Sequence, residues 1–172
     1  MQNMHKLLLL FIFAVCCFAQ QPITNNGRFL VFPPPANATS TELFWTVTDG
    51  NTASGTGIIV QGLNQLPPST TNQQWVAHFV VGVGGSSGLY IFSSSLSTTT
   101  FFGLDSNNHA VVGVTPTVFN ITAMPQFGSG LVSIQVSGTD LAVTSDNVAQ
   151  RQITAQPLVL GNTLQLWRFF AV

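Results

Sequence analysis

The sequence has two cysteines, Cys16 and Cys17, and both stand inside an apolar N-terminal run. If that run is removed, nothing downstream can form a disulfide or a thiolate metal site. Charge is also scarce. Only 5% of residues are Asp, Glu, Lys or Arg, against about a quarter in an ordinary soluble domain. Beyond residue 19 the cations are Arg28, Arg151 and Arg168, and the acids are Glu42, Asp49, Asp105, Asp140 and Asp146. Arginines this scattered make no basic stripe, which argues against nucleic acid or anionic lipid as a partner. No segment shows helical periodicity with capping residues, so almost no helix is expected. Solubility must rest on Ser, Thr, Asn and Gln.

The first 19 residues read as a secretory signal. His5 and Lys6 precede an apolar run over residues 7–15, too short to span a bilayer, and Cys17 and Ala19 are small residues where a signal peptidase reads. Cleavage after Ala19 leaves residues 20–172, a length that suits a single domain, with no later stretch apolar enough for a membrane helix. A secreted, extracellular protein is expected. Asn37-Ala38-Thr39 and Asn120-Ile121-Thr122 are glycosylation acceptor sequences. Asn120 has the outward parity of its strand, opposite to Phe119 and Ile121, so both sites point to a glycoprotein.

What is present in quantity is alternation. Gln73-Gln74-Trp75 and Gln165-Leu166-Trp167 open two strands with apolar residues at every second position, and Thr117-Val118-Phe119 opens a fainter third. Each is preceded by a Gly-led apolar strand, at Gly27, Gly88 and Gly130. The repetition, at roughly 40 to 60 residues, divides the chain into repeats at 27–83, 84–125 and 126–172. Strands are expected at 27–32, 43–47, 58–60, from Trp75, at 89–93, 101–104, 110–114, 118–123, 131–136, 141–144, 153–160 and 166–171. The fold class is all-β, with about twelve strands.

Catalytic patterns are weak. Gly84-Gly85-Ser86-Ser87-Gly88 matches G-x-S-x-G, but a nucleophile elbow needs a strand leading in and a helix leading out, whereas here two strands flank a flexible joint. His78 and His109 are the only histidines beyond the signal. Without cysteine, and with widely spaced carboxylates, they make no zinc or acid–base constellation. No metal and no cofactor are expected, and the chain reads as a binding protein rather than an enzyme. A sugar site needs an aromatic face and planar polar groups; Trp45, Asp49, Asn72 and Gln73 in the first repeat supply those types. The Gln-x-Trp tryptophans themselves have the buried parity of their strands.

These repeats resemble the β-trefoil of the ricin-type lectins, whose Asn-Gln-x-Trp pattern is matched by Asn72-Gln73-Gln74-Trp75; the resemblance implies that Asn72 contacts the sugar, as the corresponding Asn does in those proteins. The third repeat departs from that pattern, with Ala142 and Leu164 where an acid and an Asn would stand. More of the chain is similar to the fungal β-trefoil serine-protease inhibitors, the mycospin family. The resemblance is carried by Pro116-Thr117-Val118-Phe119-Asn120, Met124-Pro125-Gln126-Phe127-Gly128, Gln152-Ile153-Thr154-Ala155-Gln156-Pro157-Leu158 and Trp167-Arg168-Phe169, together with Gly27-Arg28-Phe29 and Gly88-Leu89-Tyr90. It implies a fungal protein that inhibits an extracellular serine protease through an exposed substrate-like loop, at residues 48–56 or 161–164, with Asp49, Asn51, Asn162 and Leu164 as candidate inhibitory residues. Neither loop holds Lys or Arg, so a trypsin-type pocket with an acid at its base would go unpaired. The alternative is a lectin that binds a glycan through the first repeat.

Overall fold

A computed structural model describes residues 23–34, 42–63, 69–81 and 87–172. The signal at 1–19, Asn37 and most of the Gly84–Gly88 joint lie outside them. Twelve strands follow one another: β1 (Gly27–Phe32), β2 (Leu43–Val47), β3 (Ile58–Gly62), β4 (Gln74–Val81), β5 (Gly88–Ser94), β6 (Phe101–Leu104), β7 (Ala110–Gly113), β8 (Phe119–Ala123), β9 (Val132–Val136), β10 (Leu141–Thr144), β11 (Thr154–Pro157) and β12 (Leu166–Ala171). Helix is confined to short 3-10 turns among the described residues.

Six strands close a ring. β1 pairs with β4, β4 with β5, β5 with β8, β8 with β9, β9 with β12, and β12 returns to β1, all antiparallel. Closure removes the unpaired edges that an open sheet would expose. The other six strands form three hairpins, β2–β3, β6–β7 and β10–β11. These hairpins are tied to one another pairwise by single bridges, Gly57 to Val111, Ile59 to Gln152 and His109 to Thr154. Each quartet of consecutive strands thus contributes two barrel strands and one hairpin to a threefold arrangement.

The core explains the alternation. Trp45, Trp75, Trp167, Phe92, Phe102 and Phe119 are all fully buried. Trp45 lies at the centre, with ring centroids of Trp167 at 5.1 Å, Phe102 at 4.8 Å, Phe92 at 5.9 Å and Trp75 at 6.1 Å, mostly edge to face. Such contacts add to the area burial that stabilises a core without disulfides.

The Gln-x-Trp elements have a structural job. Gln73 donates from Nε2 to Thr46 Oγ1 at 3.0 Å and to Gly62 O at 2.9 Å, and Trp75 Nε1 donates to Trp45 O. In the third repeat Gln165 donates from Nε2 to Thr144 Oγ1 at 3.1 Å and to Pro157 O at 2.9 Å, and Trp167 Nε1 donates to Val143 O. In both repeats the glutamine holds the two strands of its hairpin, and the indole fastens that hairpin to the barrel. The second repeat has Thr117 and Phe119 at these places and makes the link through its backbone, Thr117 N to Phe102 O at 3.1 Å.

The expected strand at 153–160 is corrected: β11 stops at Pro157. Leu158 N then turns to Asp140 O and Val159 N to the Gln165 side chain, so the apolar run Leu158-Val159-Leu160 leaves the sheet.

Candidate functional site

The loop between β2 and β3 is built as a rigid protrusion. Residues 51–55 are exposed in unbroken succession. At its base Thr48 N and Thr48 Oγ1 both donate to Gly57 O, at 3.1 and 2.8 Å. On its far side the second hairpin supports it: Gly55 N donates to Val112 O and Val112 N to Thr56 O, each at 2.8 Å. Asp49 and Gly50 adopt left-handed backbone, φ 52° and 65°, a conformation that Asp tolerates better than most residues and Gly adopts freely. This turn delivers Asn51 in an extended conformation, φ −82° and ψ 118°. Within the loop Asn51 N donates to Thr48 O, Ala53 N donates to Asn51 Oδ1 and Thr56 N to Ala53 O.

Asp49 is exposed at the rim of this loop, and Asn72 lies beside Gly50, with Asn72 Nδ2 donating to Val47 O at 3.3 Å. The other two members of the first-repeat sugar set do not join them at the surface. Trp45 is at the centre of the core and Gln73 is fully buried in its hairpin clamp. Trp45 is correctly placed in the sequence but faces inward, because all five residues of β2 are buried and strand parity therefore marks no outer face.

The last loop differs. Asn162 N donates to Val159 O, closing a tight turn with Gly161 at φ 84°. Asn162 Oδ1 accepts from Leu164 N at 3.1 Å, so Asn162 is a cap for the following 3-10 turn. Leu164 is half-buried, and its carbonyl accepts from Ser145 N at 2.9 Å. Both backbone groups of Leu164 are thus engaged, and the side chain that this loop exposes most is Leu160, at 74%. Sequence reasoning missed it because Leu158-Val159-Leu160 continues the apolar pattern of β11.

The histidines do not meet. His78 bridges Asn26 Oδ1 at 2.9 Å and Ser93 Oγ at 2.8 Å, tying the start of β1 to β4 and β5, and burial lowers its pKa. His109 Nδ1 lies 3.3 Å from Asp105 Oδ2. The Asp105 carboxyl is held below its ordinary value, first by the His109 backbone N–H and then by that of Asn107, both donating to Oδ1. Among the described residues no group of three or more His, Cys, Asp or Glu side chains converges on a point that could hold a metal. Asn120 sits on β8 between Leu89 and Gln135 and is half-buried.

No protein-family model and no curated protein matches the sequence. Solved structures do. A ricin B-like lectin from Macrolepiota procera, in complex with lactose, matches 87% of this chain and 98% of its own at 12% identity and a TM-score of 0.66. The Rhizoctonia solani agglutinin matches 87% and 97% at 15% identity and 0.65. A proteinase inhibitor from Coprinopsis cinerea matches 88% and 99% at 14% identity and 0.59. Both resemblances read from the sequence, to lectins and to fungal inhibitors, therefore recur among the structural neighbours, and the closed six-stranded barrel with its three hairpins is a β-trefoil.

Proposed function

We propose that this β-trefoil binding protein is a secreted inhibitor of serine proteases, and that the β2–β3 loop is its inhibitory element. The observation that carries the reading is the state of that loop. Five consecutive exposed residues are held between anchors on two hairpins, with Asn51 already extended as a protease substrate is. A loop fixed in its bound shape loses little conformational freedom on docking, so rigidity converts into affinity. The final loop suits this role less well, because a substrate-like segment is extended and residues 159–162 form a closed turn.

The side chains select the target class. Residues 51–54 are Asn, Thr, Ala and Ser, which offer no cation for a trypsin-type pocket and no large apolar group for a chymotrypsin-type one. A shallow, elastase-type pocket fits them. The first-repeat glycan reading loses its stacking face with Trp45 in the core and is not proposed. The test is residual activity of proteases with trypsin, chymotrypsin, elastase and subtilisin specificity, titrated with the purified protein. Stoichiometric inhibition of the small-pocket enzyme alone is expected; full activity of every member at excess protein would overturn the reading.

A further inference from the structure

A second surface lies where the second and third hairpins meet. A cleft of about 330 Å³ opens between the β6–β7 turn and the third repeat, with His109, Ser145, Asp146, Arg151, Gln152 and Thr154 among its lining residues. Its volume is in the range of small-ligand sites. We propose that it binds a hydroxylated carboxylate, of the kind presented by a hexuronic acid.

The guanidinium carries the argument. Arg151 approaches Asp146 only through Nε, at 3.9 Å from Oδ2, and its two terminal nitrogens have no partner among the described residues. Asp146 is itself held in place by Val148 N, which donates to its Oδ1 at 3.1 Å. The outer fork of Arg151 is thus free to take a carboxylate through two parallel hydrogen bonds, the arrangement for which a guanidinium is shaped. A neighbouring Asp146 disfavours a doubly charged phosphoryl group more than a singly charged carboxylate, since each unit of ligand charge repels it.

Around the fork stand groups suited to hydroxyls. Ser145 Oγ accepts from Asn147 N at 3.0 Å and Thr154 Oγ1 from Gln156 Nε2 at 3.2 Å, so both keep a hydroxyl hydrogen to donate. Gln152 spends Nε2 on Ala110 O at 3.0 Å and keeps Oε1 as an acceptor. Asp146 accepts as well. Among the described residues no Phe, Tyr or Trp lines the cleft, so a neutral sugar would have only the small His109 ring to stack on and the carboxylate must supply most of the selectivity. The ligand could be a free acid or the unit of an acidic polysaccharide, and the two are separable by experiment.

Isothermal titration calorimetry of the full protein with galacturonate and with glucuronate, each against its neutral counterpart galactose or glucose, tests the site. At least one uronate is expected to bind tenfold or more tighter than its neutral counterpart, and Arg151→Gln to remove that difference, the weight of hydrogen bonds to a charged group. Arg151 is a largely exposed side chain, so the variant should unfold at the same temperature as the parent and inhibit proteases equally, which separates this site from the β2–β3 loop. Trigalacturonate binding as tightly as the monomer would assign the ligand to polymers, and its exclusion would assign it to free acids. Equal binding of uronate and neutral sugar, no heat from either uronate, or full retention by Arg151→Gln would overturn the proposal.

Discussion

Replacing Gln165 with Leu tests whether the glutamine of the Gln-x-Trp element is the clamp of its repeat. Gln165 is 2% exposed. Its amide makes three hydrogen bonds, from Nε2 to Thr144 Oγ1 and Pro157 O, and from Val159 N to Oε1. At about 1 kcal/mol each, their loss costs about 3 kcal/mol. A leucine of similar size needs no buried amide, which offsets about 1 kcal/mol of that. A net loss of about 2 kcal/mol lowers the melting temperature of a domain of this size by roughly 4 to 8 °C. Urea denaturation should show a lower midpoint at unchanged slope. A double-mutant cycle with Thr144→Val should return a coupling of about 1 kcal/mol, the share of one bond. A Gln165→Leu cost under about 0.5 kcal/mol, with no coupling to Thr144, would refute the clamp and leave the repeated glutamine without a structural account.

Two further outcomes follow from the core and from His78. Trp45 Nε1 is buried without a partner among the described residues, whereas Trp167 Nε1 donates to Val143 O at 2.9 Å. Trp167→Phe should therefore cost about 1 to 3 kcal/mol more than Trp45→Phe, measured by denaturant midpoint, because only the first change leaves a buried carbonyl unpaired. His78 has its pKa lowered by burial, so the unfolded chain binds the proton more readily than the folded one. Its contribution is fully present above the ordinary value of 6.5 and is lost as pH falls from there through the folded value. Unfolding midpoints between pH 7.5 and 4.5 should fall more steeply for the parent than for His78→Gln; parallel curves would contradict this.

The parts of the fold legible in the sequence are those where one side of a strand is wet. β8 shows this, with Phe119 and Ile121 buried and Asn120 half-buried between them. Strand parity turns Trp75 and Trp167 inward on the same ground, and the structure buries both. Parity fails where a strand is buried on both sides, as in β2, and Trp45 could then be read as a surface ring. It also fails at Leu158-Val159-Leu160, where hydrophobicity continues after pairing has ended. Pro157 has no N–H to donate to a continuing ladder, and the next two N–H groups go to Asp140 and Gln165. The cleft was not legible, since His109 and Arg151 come from different hairpins and no short motif joins them. The supported β2–β3 loop was legible as polar and exposed; its anchors on Val112 lie far along the chain.

The most direct test of the inhibitory reading is the inhibition constant against trypsin of two variants, Asn51→Arg and Leu160→Arg. If the β2–β3 loop presents its residues as a substrate does, Asn51→Arg gains stoichiometric trypsin inhibition while Leu160→Arg stays inactive. Trypsin inhibition gained by Leu160→Arg alone would place the reactive element in the final loop, and no gain by either would contradict a substrate-like mechanism for this chain.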